Sequence, residues 1–98
     1  MFLKVHKVGK EVIVALCDAE LLGKTLREGA VVLDLKKYGD FYKGEKADEK
    51  IASKAVEGGT SINAVGKRSV SVVRKALKCD EASVRMIQKV PHLQVYRF

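Results

Sequence analysis

Residues 2–17 read Phe2-Leu3-Lys4-Val5-His6-Lys7-Val8-Gly9-Lys10-Glu11-Val12-Ile13-Val14-Ala15-Leu16-Cys17, and this stretch decides the fold class. Phe2, Lys4 and His6 alternate with Leu3, Val5 and Lys7, the two-residue period of a strand. Val8-Gly9-Lys10-Glu11 reads as a tight turn. Val12 to Cys17 is a continuous apolar run rich in β-branched residues, the pattern of a strand covered on both faces. The two segments make a β-hairpin.

Outward from the hairpin, Asp18 stands where the second strand ends and is placed to cap a short helix over residues 19–23. Arg27-Glu28-Gly29 reads as a turn and residues 30–35 as a third strand. Residues 36–46 are irregular and hold Tyr38, Phe41 and Tyr42. Asp48 is placed to cap a helix whose Ile51, Ala52, Ala55 and Val56 share one face, and Gly58-Gly59 ends it. Thr60 or Ser61 is read as the cap of a longer helix from about Ile62 to Lys78, with Val65, Val70, Val73 and Leu77 at helical spacing. Gly66 falls inside it at a cost of about 1 kcal/mol against alanine, and so marks a close backbone contact or a helix break. Residues 84–87 form a short strand, Gln88-Lys89 a turn, and Leu93 to Phe98 a closing strand that Pro91 introduces. The order β-β-α-β-loop-α-α-β-β is α+β. It implies one domain over residues 1–98, with a mostly antiparallel sheet of about five strands and two longer helices packed on one face. No internal repeat is present.

The chain has 98 residues, 47% of them hydrophobic and 32% charged. That excludes a second domain with its own core, and it excludes a disordered chain. No stretch approaches the roughly 20 apolar residues of a membrane helix. No signal-peptide pattern opens the chain, so a cytoplasmic location without a membrane partner is expected. Cys17 and Cys79 form no Cys-x-x-Cys pair. A zinc site would need both with His6 and His92, so two buried thiols and no metal or other cofactor are the expectation.

Four segments in order, Cys17-Asp18-x-Glu20-Leu21-Leu22-Gly23-Lys24-Thr25, Phe41-Tyr42-x-Gly44-Glu45, Asn63-x-Val65-Gly66 and Val90-Pro91-His92, resemble the archaeal domain-of-unknown-function 424 family nearly end to end. The resemblance implies an archaeal, cytoplasmic, stand-alone domain with a link to RNA or the ribosome. It supplies no catalytic residues.

The charge is unevenly placed. Residues 1–57 carry 11 basic and 10 acidic side chains, whereas residues 58–98 carry 8 basic and 2 acidic, nearly all of the net +7. Such asymmetry is the footprint expected for a polyanion partner. On the longer helix, Lys67, Ser71, Arg74 and Lys78 recur at i, i+4, i+7 and i+11 with Arg68 and Lys75 beside them. That stripe can follow phosphates, or it is a solvated helix face. Tyr42, in a loop with Lys36, Lys37 and Lys43, can stack on an unpaired base or anchor the loop to the core.

Residues 58–68 superficially resemble a phosphate loop. Ser61 stands where its first glycine belongs, Arg68 stands where Ser or Thr would hold magnesium, and a helix rather than a strand is read before it, so nucleotide hydrolysis is excluded. The Gly58-Gly59-Thr60-Ser61 helix start, with Lys67 and Arg68 near, can hold one phosphate or simply cap. His92, fixed by Pro91, can titrate near neutrality against Asp18, Glu20 or Cys17, or make a structural hydrogen bond. His6 has no evident partner.

Three readings follow. The first is a non-catalytic RNA- or ribosome-associated module that contacts phosphate through Lys67, Arg68, Arg74, Lys75 and Lys78, with Tyr42 stacking. The second is a small ligand-binding domain or enzyme with a pocket at Asp18, Glu20, Asn63 and His92. The third is a protein–protein adaptor working through an exposed sheet edge.

Overall fold

The structure, a computed structural model, describes residues 1–78 and 83–97. The hairpin of β1 (Phe2–Val8) and β2 (Glu11–Cys17) pairs from Phe2↔Cys17 to Val8↔Glu11. Gly9 turns it at φ 60, a left-handed conformation that costs glycine nothing. A separate antiparallel ribbon follows, β3 (Thr25–Glu28) with β4 (Val31–Asp34). Then come the one-turn α1 (Gly39–Tyr42), β5 (Glu45–Lys46) and α2 (Glu49–Glu57), and after them β6 (Ser61–Val65) and α3 (Lys67–Leu77). The hairpin of β7 (Arg85–Ile87) and β8 (Val90–Tyr96) closes the chain. The main sheet has six strands in the order β5-β1-β2-β6-β8-β7. Every pairing in it is antiparallel except β2 with β6.

The α+β class, the mostly antiparallel sheet and the two longer helices agree with the sequence reading. Asp48 caps α2, its carboxylate accepting the Ile51 N–H at 2.8 Å. Ala52 and Val56 of α2 meet Val70, Val72 and Val73 of α3 over Leu3, Val14, Leu16, Ile62, Ala64 and Leu93 of the sheet. Alternation puts the neighbouring strand residues on the opposite face. There Ala15, Cys17, Val65 and Ile87 lie under Leu21, Leu26, Leu35 and Tyr42, all from the chain between β2 and β6. That cover does not extend to the far end of the face, where Gln94 is exposed and Tyr96 is 65% exposed.

Several boundaries differ from expectation. The helix read from Ile62 to Lys78 is a strand followed by a shorter helix. Ile62 and Val65 are three apart, which suits one helix face; in the strand they point to opposite faces, both covered, and pairing with β2 on one side and β8 on the other decides for the strand. Thr60 and Ser61 therefore cap no helix: the Thr60 hydroxyl accepts the Val12 N–H at 2.9 Å. The short helix after Asp18 is a single 3₁₀ turn, Ala19–Leu21, which receives no side-chain cap. The turn read at Arg27-Glu28 is the end of β3, and the irregular loop contains α1 and β5. No helix among the described residues is long and apolar enough to cross a membrane.

Gly66 joins β6 to α3 at φ 107, and a Cβ there would collide with the Asp18 carboxylate. Gly66→Ala is expected to lose about 2–5 kcal/mol from backbone strain and overpacking together, measured by urea unfolding against the parent chain.

Candidate functional site

Asp18 is 3% exposed. One carboxylate oxygen accepts the Ser69 N–H and the Ser69 hydroxyl, both at 2.8 Å, and the other accepts the Arg68 N–H at 3.1 Å. It thus caps α3, about fifty residues on, and not the turn beside it. A carboxylate at a helix N-terminus pairs the free amides and complements the dipole. A strand–Gly–helix order does exist at β6, Gly66 and α3, contrary to the sequence reading, which placed a helix there. Its amides are already taken by Asp18. The phosphate-holding helix start expected at Gly58 to Ser61 is absent, because those residues lead into a strand.

On its outer side α3 lines a groove. Lys67, Ser71 and Arg74 face Val84, Met86 and Pro91 across a cleft of about 420 Å³. Lys67 and Pro91 also line an adjoining cleft of about 220 Å³, with Glu20 and Lys89. Of the periodic stripe read from sequence, Lys67, Ser71 and Arg74 face one groove. Arg74 Nε is buried and has no hydrogen-bond partner among the described residues. Lys75 and Lys78 are exposed beyond it. Arg68 is elsewhere, in a recess beside Asp48 and Glu49. The sequence reading missed Lys89. Its signal was a two-residue turn without glycine: Gln88 and Lys89 both adopt positive φ, 52 and 65. Bulky residues in that conformation are strained, and such strain persists where the side chains are needed. Gln88 holds the β3–β4 ribbon by accepting the Arg27 N–H at 3.0 Å through its side chain, and Lys89 lines the smaller cleft.

The expected pocket of Asp18, Glu20, Asn63 and His92 divides in two. Asp18 and Glu20 border the smaller cleft. Asn63 and His92 meet on the opposite sheet face, where the Asn63 Oδ1 accepts the Tyr42 O–H at 2.8 Å and the His92 Nε2–H at 3.0 Å. Tyr42 is 3% exposed, so its ring offers no stacking surface; the expected stacking role is corrected. Phe41 also anchors the loop. Its ring stacks on His6 with centroids 4.7 Å apart, and its carbonyl bonds the His6 Nε2 at 2.9 Å. His6 therefore has a partner that sequence did not suggest.

Burial, and then the neighbouring Asp18 charge, push the Cys17 thiol up to about 12. A thiol held protonated in this way is no nucleophile. Cys79 lies outside the described residues. Burial, with Arg85 adding to it, holds His92 below the usual imidazole range.

The family model described as "Protein of unknown function (DUF424)" matches residues 6–98. Among solved structures, the crystal structure of an uncharacterized conserved protein from Methanopyrus kandleri is similar, with a TM-score of 0.82 and 31% identity over 97% of this chain and 89% of that one. No curated protein matches the chain.

Two measurements follow from these environments. In a Cys79→Ser background, Cys17 is expected to resist thiol reagents at pH 8 until the protein is unfolded; prompt labelling of the native chain would contradict its burial. His92 binds its proton less readily folded than unfolded. Its contribution to stability is therefore intact above about pH 6.5 and is lost as pH falls from there toward the lower folded value. An NMR titration should find its midpoint below 6.5, and a midpoint above that value would reverse the sign.

Proposed function

The chain belongs to the DUF424 family, and we propose that it serves as a non-catalytic RNA-binding module of the cytoplasm, acting on free or ribosomal RNA. One observation carries the reading: cations of the C-terminal part line two adjoining clefts, Lys67 and Arg74 the larger, Lys67 and Lys89 the smaller, which Asp18 and Glu20 also border. Lys75 and Lys78 extend the positive charge along α3. Each phosphate neutralised there releases counterions, which gives affinity without sequence preference. The Arg74 Nε–H, buried and unpaired among the described residues, favours an anionic ligand. The groove is also walled by Val84, Met86 and Pro91, which suits the sugar and base that accompany a phosphate.

The environments of the polar residues favour binding over catalysis. Asp18 is engaged as a cap, and Cys17 is buried and protonated. Neither is available as a base or a nucleophile, so the enzyme reading loses Asp18 from its pocket and Cys17 as a partner for His92.

Gel-shift titration against total RNA at two salt concentrations tests the proposal. Binding is expected to weaken steeply as salt rises. Arg74→Glu with Lys78→Glu should weaken binding about tenfold or more across all sequences and lower the salt slope by about one to two. Arg68→Glu, on the far side of α3, should have a much smaller effect. Absence of binding at low salt, or binding indifferent to salt, would sink the idea. Capture of a protein that survives nuclease treatment would favour the adaptor reading instead.

A further inference from the structure

We propose that the uncovered end of the sheet, at Asn63, His92, Gln94 and Tyr96, holds an unpaired RNA base. The proposal rests on the RNA reading above and adds to it a second surface, on the other side of the sheet from α3, with a different task.

Cross-strand register assembles the surface. Asn63 pairs with Gln94 and Ser61 with Tyr96 across β6 and β8, so all four side chains point to one face. His92 shares that face, opposite Val65 on β6 and Arg85 on β7. Over the β6–β8 half of this face the covering loop reaches only Tyr42, whose hydroxyl meets Asn63, while Phe41 lies over His6 on β1. The platform begins where that cover ends.

Its hydrogen-bonding character is specific. The Asn63 Oδ1 is saturated by Tyr42 and His92. The neutral His92 ring donates through Nε2, which leaves Nδ1 as an acceptor. The Asn63 amide N–H groups and the His92 Nδ1 have no partner among the described residues. Neither is a buried orphan, since only Arg74 Nε is one there. The platform therefore offers a donor on Asn63 and an acceptor on His92, neither of them sealed from solvent. A phosphate oxygen can use only donors. A base carries both donors and acceptors, so it can use either kind of group.

The neighbours complete the fit. Tyr96, 65% exposed, is two residues from Gln94 on the same face, about 7 Å along the strand. Its ring is a sequence-tolerant stacking surface. Arg85 is exposed beside His92, and the next residue, Met86, lines the basic groove on the opposite face. A single strand can thus pass over the β7 edge, with phosphates in the groove and a base on the platform. A duplex cannot offer that base.

Fluorescence anisotropy with short single-stranded homopolymers and a duplex of equal length tests this. The wild-type chain should prefer single strands. Tyr96→Ala and Gln94→Ala, both at exposed positions, should weaken single-strand binding about 5- to 100-fold and leave duplex binding unchanged. His92→Ala should change the ranking of the homopolymers, while Arg74→Glu should weaken binding to single strands and duplex alike. Equal wild-type affinity for both, with no effect of Tyr96→Ala or Gln94→Ala, would overturn the platform and leave the groove reading standing. Failure of the wild-type chain to bind either RNA at low salt would overturn both. Melting curves show that each variant is folded.

Discussion

The carboxylate of Asp18 is the constraint on which the rest of this structure depends. It leaves the end of β2, crosses beneath Gly66, and satisfies the first amides of α3. Its own N–H donates to the Val65 carbonyl at 3.0 Å, so the same residue also fastens β2 to the end of β6. A buried carboxylate is costly unless its oxygens are filled, and here each oxygen accepts at least one bond. The glycine at 66 follows from this packing, since no side chain fits between the carboxylate and the backbone. The orientation of α3, and with it the direction in which Lys67, Ser71 and Arg74 point, is set by the cap.

The sheet then separates two kinds of surface. On the side of α2 and α3 the core is aliphatic, and the functional material is the outer rim of α3. On the other side a long excursion of chain between β2 and β6 covers only part of the sheet, and the cover ends in a polar contact: Tyr42, Asn63 and His92. The shared Asn63 Oδ1 holds the Tyr42 hydroxyl and the His92 ring in fixed orientations. The result is a rigid boundary between core and solvent.

Much of this was legible in residues. The β1–β2 hairpin declared itself by alternation and a glycine turn, α2 by an aspartate cap and a two-turn apolar stripe, and β8 by the alternation from Leu93, although the strand begins at Val90 and takes Pro91 within it. The basic stripe of α3 was legible because helical period depends only on spacing. What escaped was tertiary. Ser61–Val65 is a strand because β2 and β8 stand on either side of it, a fact that five residues cannot encode alone. Arg27 and Glu28 looked like a turn because both are charged and Gly29 follows, yet they end β3. Asp18 looked like a local cap because its real partner, Ser69, is remote in sequence. Tyr42 looked available because its loop is polar, yet the hydroxyl finds Asn63 across the sheet. Gly66 was the one residue whose awkwardness in a helix pointed to the correct break.

The single parallel pairing, β2 with β6, has a kinetic meaning. The hairpins β1–β2 and β7–β8 close over short turns, whereas β2 and β6 meet only after the chain from Asp18 to Thr60 has looped back. Ordering that loop must precede the reward of pairing, so this contact belongs to the late, slow part of folding. Until it forms, α3 has no Asp18 to cap it and the polar boundary has no Asn63. Strand docking, helix capping and the exposure of the groove are therefore one cooperative event. A nascent or partly unfolded chain would carry the same positive charge without the geometry to use it.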